Sequence, residues 1–185
     1  MKLIILDRDG VINQDRDDFV KSADEWIPIA GSMDAIAFLT EAGYTVAVAT
    51  NQSGIGRKYF TMQELTEMHN KMHRLAQQAG GVIDGIWFCP HTAADGCDCR
   101  KPAPGMVNDI LSRFNAEAAD TWLVGASLRD LQAIAAEGGK PALVLTGKGK
   151  KTLAAEGDSL PENTQVFDNL LAFSQYLLQN HAEAV

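Results

Sequence analysis

The apolar run Leu3-Ile4-Ile5-Leu6 ends directly in Asp7-Arg8-Asp9-Gly10, and no other stretch limits the chain as much. The run reads as a buried strand, and carboxylates at the end of such a strand are costly unless they are solvated or do chemistry. Asp7 and Asp9 stand two apart, so in extended backbone both side chains leave the same face, and Gly10 permits a sharp turn just beyond them. A bare Asp-x-Asp pair is read most simply as a solvated acidic turn. Three further segments argue otherwise.

Further strand-like runs lie at 45–49, 85–89, 122–124 and 142–145, and helical patterns lie between them at 33–42, 62–79, 106–114 and 128–136. Thr61 and Glu64 fit a capping box for the second helix, and a last amphipathic helix is expected at 170–178. Strands alternating with helices predict an α/β fold with an open, mostly parallel sheet. Ligands of such sheets bind beyond the carboxyl ends of the strands, where Asp7, Thr50, Cys89 and Gly125 all fall.

At 185 residues the chain is expected to form one domain, 1–185, with a full core and no need of disulfides. A net charge of -8 excludes a general binder of nucleic acid, and no apolar run is long enough to span a membrane. A soluble, cytoplasmic monomer is expected. An anionic ligand would need a local positive pocket.

All three cysteines fall in one window with a histidine, as Cys89-Pro90-His91 and Cys97-Asp98-Cys99. This spacing reads as a closed, structural Cys3His zinc site in the loop 89–99, suited to a reducing compartment. A Cys97 to Cys99 disulfide would be strained.

Asp7-Arg8-Asp9-Gly10-Val11-Ile12-Asn13, Ala49-Thr50-Asn51-Gln52-Ser53-Gly54, Arg100-Lys101-Pro102-Ala103-Pro104-Gly105 and Val124-Gly125-Ala126-Ser127-Leu128-Arg129-Asp130 follow one another along the chain. Their order and wording resemble the four motifs of haloacid-dehalogenase-type phosphatases over roughly residues 1–150. Together with the zinc loop they resemble, within that superfamily, the D-glycero-D-manno-heptose-1,7-bisphosphate phosphatases; the histidinol-phosphate phosphatases are the nearest alternative. The resemblance implies a Rossmann-like fold in which the zinc loop replaces a large cap domain. It also implies release of the C7 phosphate from a sugar bisphosphate, in nucleotide-activated heptose and lipopolysaccharide-core synthesis.

Phosphate monoesters resist attack, so the chemistry needs a placed nucleophile, neutralised charge and a proton for the leaving alkoxide. Asp7 is expected to form the aspartyl-phosphate, and Asp9 to act as acid and then base from a raised pKa. Thr50 would donate to phosphoryl oxygens and Lys101 would neutralise them. Asn51, Gln52, Ser53, Arg100 and Ser127 are candidates for substrate recognition. From the resemblance alone, Asp15 and Asp18 join them.

Mg2+ would bind the Asp7 carboxylate and the main-chain carbonyl of Asp9. The fourth motif of the family supplies a further Asp, but position 126 is Ala, so impaired metal binding and activity are expected; Asp130 stands one helical turn on. A phosphosugar-binding protein without turnover is the alternative from another class. Gly147-Lys148-Gly149-Lys150-Lys151 reads by default as a solvated basic loop, with Lys148 facing the active site as the alternative, and His69, His73 and His181 read as surface or packing residues.

Overall fold

All four side chains of β1 (Leu3–Leu6) are buried, but on opposite faces: Ile4 and Leu6 join one core, Leu3 and Ile5 the other. A strand of this kind belongs in the middle of a sheet covered on both sides. The computed structural model, which describes residues 2–183 and side chains up to residue 180, has it there. The side chain of His181 lies outside the described residues.

From β1 the chain runs through α1 (Ser32–Glu41), β2 (Thr45–Asn51), the short α2 (Ser53–Gly56), α3 (Met62–Ala79) and β3 (Gly85–Cys89). It continues through α4 (Gly105–Arg113), β4 (Trp122–Gly125), α5 (Leu128–Ala135), β5 (Lys140–Val144), α6 (Gly149–Glu156), β6 (Gln165–Phe167) and α7 (Leu170–Glu183). The six strands form one parallel sheet in the order β3-β2-β1-β4-β5-β6.

Apolar stripes of α1 (Ile36, Leu39), α3 (Leu65, Met68, Met72) and α7 (Leu170, Phe173) cover one face. Met106, Val107 and Ile110 of α4 and Ala133 and Ile134 of α5 cover the other. Helix α3 starts as its sequence predicts: Thr61 Oγ1 accepts from the Glu64 N–H at 3.1 Å, and Glu64 accepts in return from the Thr61 N–H at 3.0 Å. Among the described residues no helix is long and apolar enough to cross a membrane.

The parallel α/β sheet expected from the alternation is what forms, with three additions. Helix α2 is a single turn after β2, and β6 is a three-residue edge strand with two exposed side chains. The third addition corrects the reading of 147–151 as a solvated loop. Helix α6 begins at Gly149, and Lys148 just before it lies 3.8 Å from Asp15 and 3.6 Å from Asp17. Only Gly149 and Thr152 of α6 are buried, so no apolar stripe marks it.

The chain winds outward in opposite directions from the adjacent strands β1 and β4, which opens a crevice at their carboxyl ends. The first and fourth motifs therefore meet there, with the second beside them at the end of β2.

Candidate active site

Asp7 leaves β1 with its N–H bonded to the Val124 carbonyl of β4 at 3.0 Å, so its backbone is held by the sheet. Its Oδ1 accepts from the Arg8 N–H at 2.8 Å and from the Lys101 ammonium at 3.1 Å. Lys101 is buried, and it also reaches the Ala49 carbonyl at 2.7 Å and Asp130 Oδ1 at 2.6 Å. One N–H of the ammonium hydrogen-bonds the Ala49 carbonyl, and the charge is paired with both carboxylates.

The charges sort accordingly. Burial disfavours a charged Lys101, but Asp130 and Asp7 outweigh it and hold its pKa above the usual lysine value. Asp130 is driven up by burial and pulled back further by Lys101, so it ends below the ordinary carboxylate range. Asp7, largely shielded from solvent and facing Asp130 and Asp9 as well as Lys101, is raised to about 7.

Asp130 is also the third residue of α5: its Oδ2 accepts from the Ser127 N–H at 3.2 Å and the Ser127 hydroxyl at 2.9 Å. A Cβ on Gly125 would come within 2.3 Å of the Asp130 Cβ, which is why this strand ends in glycine. The hydroxyl of Ser127, a candidate for substrate recognition, is thus spent on capping, although the residue lines the crevice.

Asp9 is held differently. Its Oδ1 accepts from Arg8 Nη2 at 2.8 Å, Arg8 Nε at 3.1 Å and Asn13 Nδ2 at 2.8 Å, and its Oδ2 from Gln52 Nε2 at 3.0 Å. The expectation of a raised pKa at Asp9 is corrected here. Burial does push it up, but the Arg8 charge and the donors of Asn13, Arg8 and Gln52 together hold it below the usual value.

The crevice has a volume of about 260 Å³ and is lined by Asp7, Asp9, Asp15, Asn51, Gln52, Ser53, Arg100, Lys101, Ala126 and Ser127 among the residues the sequence singled out. Thr50 is buried behind this lining, where its hydroxyl accepts from Gln52 at 2.9 Å. Asp18 is not brought in: its carboxylate pairs with Arg16 at 3.0 Å and Lys21 at 3.3 Å, and its exposed neighbour Asp17 lines the crevice instead. Sequence reasoning missed Arg16, Arg57 and Arg129, single cations outside or at the margin of the motifs. The lining as a whole carries six Arg and Lys side chains against four Asp.

Asn51 ties the second and third motifs together, accepting from the Lys101 N–H at 3.0 Å and donating to the Lys101 carbonyl at 3.1 Å. The neighbouring Arg100 donates to the His91 carbonyl at 3.2 Å, which fastens it to the loop after β3. In that loop one ligand atom each from Cys89, His91, Cys97 and Cys99 lies within 4.8 Å of the others. Cys89 Sγ is 3.6 Å from Cys97 Sγ and 3.5 Å from His91 Nδ1, near the edges of a tetrahedron around zinc with ~2.3 Å Zn–S bonds, while the Sγ atoms of Cys89 and Cys99 stand closer than such an edge, at 2.7 Å. The cluster suggests a structural zinc site. Among the described residues it is the only such group, and His69 and His73 take no part in one.

A fold and a site of this kind define a phosphoryl-transfer hydrolase class, and the comparisons agree. The model of the haloacid dehalogenase-like hydrolase family matches residues 5–138. The chain is 79% identical over 182 residues to D-glycero-beta-D-manno-heptose-1,7-bisphosphate 7-phosphatase of Neisseria meningitidis serogroup A, covering 98% of this chain and 97% of that protein. The crystal structure of D,D-heptose 1,7-bisphosphate phosphatase from Bordetella bronchiseptica, complexed with magnesium and phosphate, superposes with a TM-score of 0.94 at 56% identity, covering 97% of this chain and 99% of that one. The enzyme of the same name from Burkholderia thailandensis gives 0.77 at 52% identity over 96% and 99%. The chain belongs to the haloacid dehalogenase-like hydrolases and, among them, to the family of the heptose-1,7-bisphosphate 7-phosphatases.

Proposed function

We propose that this chain is a magnesium-dependent phosphatase that removes the C7 phosphate of D-glycero-D-manno-heptose 1,7-bisphosphate through an aspartyl-phosphate. The 1-phosphate is left for nucleotide activation of the heptose in lipopolysaccharide-core synthesis. The observation that carries this reading is the pairing of Asp7 with Lys101 beside an independently clamped Asp9. Residues 1–185 act as one catalytic domain and monomer, and the loop 89–99 serves in place of a cap.

In the first half-reaction an Asp7 carboxylate oxygen forms the bond to phosphorus while the bond from phosphorus to O7 of the sugar breaks, and Asp9 gives O7 its proton. In the second, Asp9 takes a proton from water as the water oxygen attacks phosphorus, and the Asp7–phosphorus bond breaks. Oδ1 of Asp9 already accepts from three donors and Oδ2 from one, so Oδ2 is the oxygen with room for a proton. The same donors keep Asp9 ionised in the free site, and the negative charge of an entering phosphate would raise its proton affinity before it acts as acid. Lys101 keeps its charge throughout and steadies the phosphoryl oxygens. Asn51, Gln52, Ser53 and Arg100 line the face where the sugar and second phosphate bind.

A divalent cation fits the donor set in its minimal form. The second oxygen of Asp7 takes no hydrogen bond from the described residues and, with the Asp9 carbonyl, leaves the remaining positions to water and phosphate. Magnesium bound there would screen the repulsion between the Asp7 carboxylate and the phosphate. Asp130 is committed to Lys101 and Ser127. Ala126 brings a methyl group to the crevice where the fourth motif of the family carries Asp. We expect this to weaken magnesium and slow turnover by ~10²–10⁴.

The surplus of cations around the crevice favours a doubly phosphorylated sugar over histidinol phosphate, which bears its own ammonium. Phosphate release from both compounds, by this chain and by Ala126→Asp, tests the reading. A gain of ~10² or more on heptose bisphosphate supports a metal-weakened phosphatase. Histidinol phosphate as the far better substrate overturns the sugar assignment. Tight sugar binding without release in both proteins would make the chain a binding protein.

A further inference from the structure

We infer that His69 of α3 is a positioning residue for Asp9, acting through the buried guanidinium of Arg8. The inference rests on the proposed acid–base role of Asp9. Arg8 is fully buried, with no exposure at all, although it stands between two residues that face the crevice. Two edges of its guanidinium are in use. Nε and Nη2 converge on Asp9 Oδ1 at 3.1 and 2.8 Å, while Nη1 points to His69 Nε2 at 3.2 Å and Met68 Sδ at 3.8 Å.

Arginine has donors and no acceptor, so the ring nitrogen that meets it must accept. His69 is therefore neutral, with its proton on Nδ1. The environment agrees: burial, followed by the Arg8 charge, lowers the His69 pKa to about 3, against a smaller opposing pull from Asp9. The ring is well fixed, because α3 is capped by Thr61 and Glu64 and packs Leu65, Met68 and Met72 into the core.

The consequence falls on Asp9. A guanidinium satisfied only along one edge could swing away from Oδ1 or slide toward Oδ2. With Nη1 anchored on α3, the fork stays on Oδ1, and Oδ2 remains the oxygen with room for the transferable proton. His69 never meets the substrate, so its effect must travel through the orientation of Asp9.

The leaving group tells this from general support of the fold. Heptose bisphosphate loses an alkoxide that needs a proton, whereas 2,4-dinitrophenyl phosphate loses a phenolate that does not. For His69→Leu we expect kcat on the sugar to fall ~10–100-fold and on the dinitrophenyl ester by less than ~3-fold, with KM little changed. His69→Gln, whose side-chain oxygen can accept from Arg8, should restore most of the loss.

Equal losses on both substrates, no loss, or a Gln variant no better than Leu overturn the inference. Asp9→Asn is run beside them. If it shows no leaving-group dependence, the acid–base reading of Asp9 itself fails; if it does and His69→Leu does not, only the positioning role fails. The same series in the Ala126→Asp protein keeps slow turnover from deciding the result. Nitrogen-15 NMR of the unsubstituted chain should find His69 neutral at pH 7 with the proton on Nδ1, and a protonated ring or the opposite tautomer overturns the inference without any turnover.

Discussion

Two clusters of metal-competent side chains sit at the same end of the sheet, and they meet crowded negative charge in different ways. In the loop after β3 the protein supplies three thiols and an imidazole but no cation within the cluster. Burial and the neighbouring thiols push Cys99 up to about 12, whereas Cys97, for which hydrogen bonds from Arg100 and the other two thiols outweigh burial, falls to about 6. A metal bound there would favour the thiolate form of all three. At the end of β1 the protein brings its own cation. Lys101 pairs with both Asp130 and Asp7. The first arrangement suits a metal that supports structure, and the second suits a metal that binds together with a phosphate.

The sharpest way to break this contrast is to remove the Asp7 carboxylate. Asp7→Asn should lower phosphate release by ~10³ or more while leaving the zinc content unchanged. Metal analysis beside a turnover assay reads both, and retention of turnover would remove Asp7 from the chemistry. A smaller effect is expected from stripping zinc with a selective chelator and then restoring magnesium. We expect the apparent Tm to drop by ~5–15 °C and KM to rise more than kcat falls, because Arg100 is fastened to the loop through the His91 carbonyl. An unchanged melting curve would mean that the loop supports itself.

The same contrast explains what could be read from the residues. The zinc cluster was legible because its four ligands fall within eleven positions, so spacing alone nearly fixes their proximity. The carboxylate pair was legible for the same reason, and the parallel sheet followed from buried runs such as Leu3–Leu6. What spacing could not give was the balance of charge. Asp9 was expected to bind its proton tightly, but Arg8 next to it, Asn13 across the turn at Gly10 and Gln52 from β2's end turn donors onto it. His69 lies 61 residues from Arg8 along the chain, and no periodicity announces that an α3 histidine will meet a strand-end arginine. Helix α6 and strand β6 escaped because they bury too little to leave a pattern.

The smallest expected effect concerns stability. The pKa of Asp7 rises from its ordinary value of 3.8 to about 7 in the fold, chiefly through burial and then Asp130, so the folded chain holds this proton where the unfolded chain has released it. Between those two values stability therefore falls as pH rises. Below the lower value Asp7 is protonated in both states, and above the higher it is ionised in both, so the cost is absent in acid and constant in base. Asp7→Asn removes the titration. Its stability advantage over the parent, measured by urea unfolding with no added magnesium, should be near zero at pH 4, grow through pH 7 and level off at ~1–3 kcal/mol. An advantage of the same size at every pH would trace to packing instead. An advantage that shrinks toward alkaline pH would mean that Lys101 favours the Asp7 carboxylate more than burial and Asp130 disfavour it, and that the strand-end site, like a finished ion pair, needs no further cation.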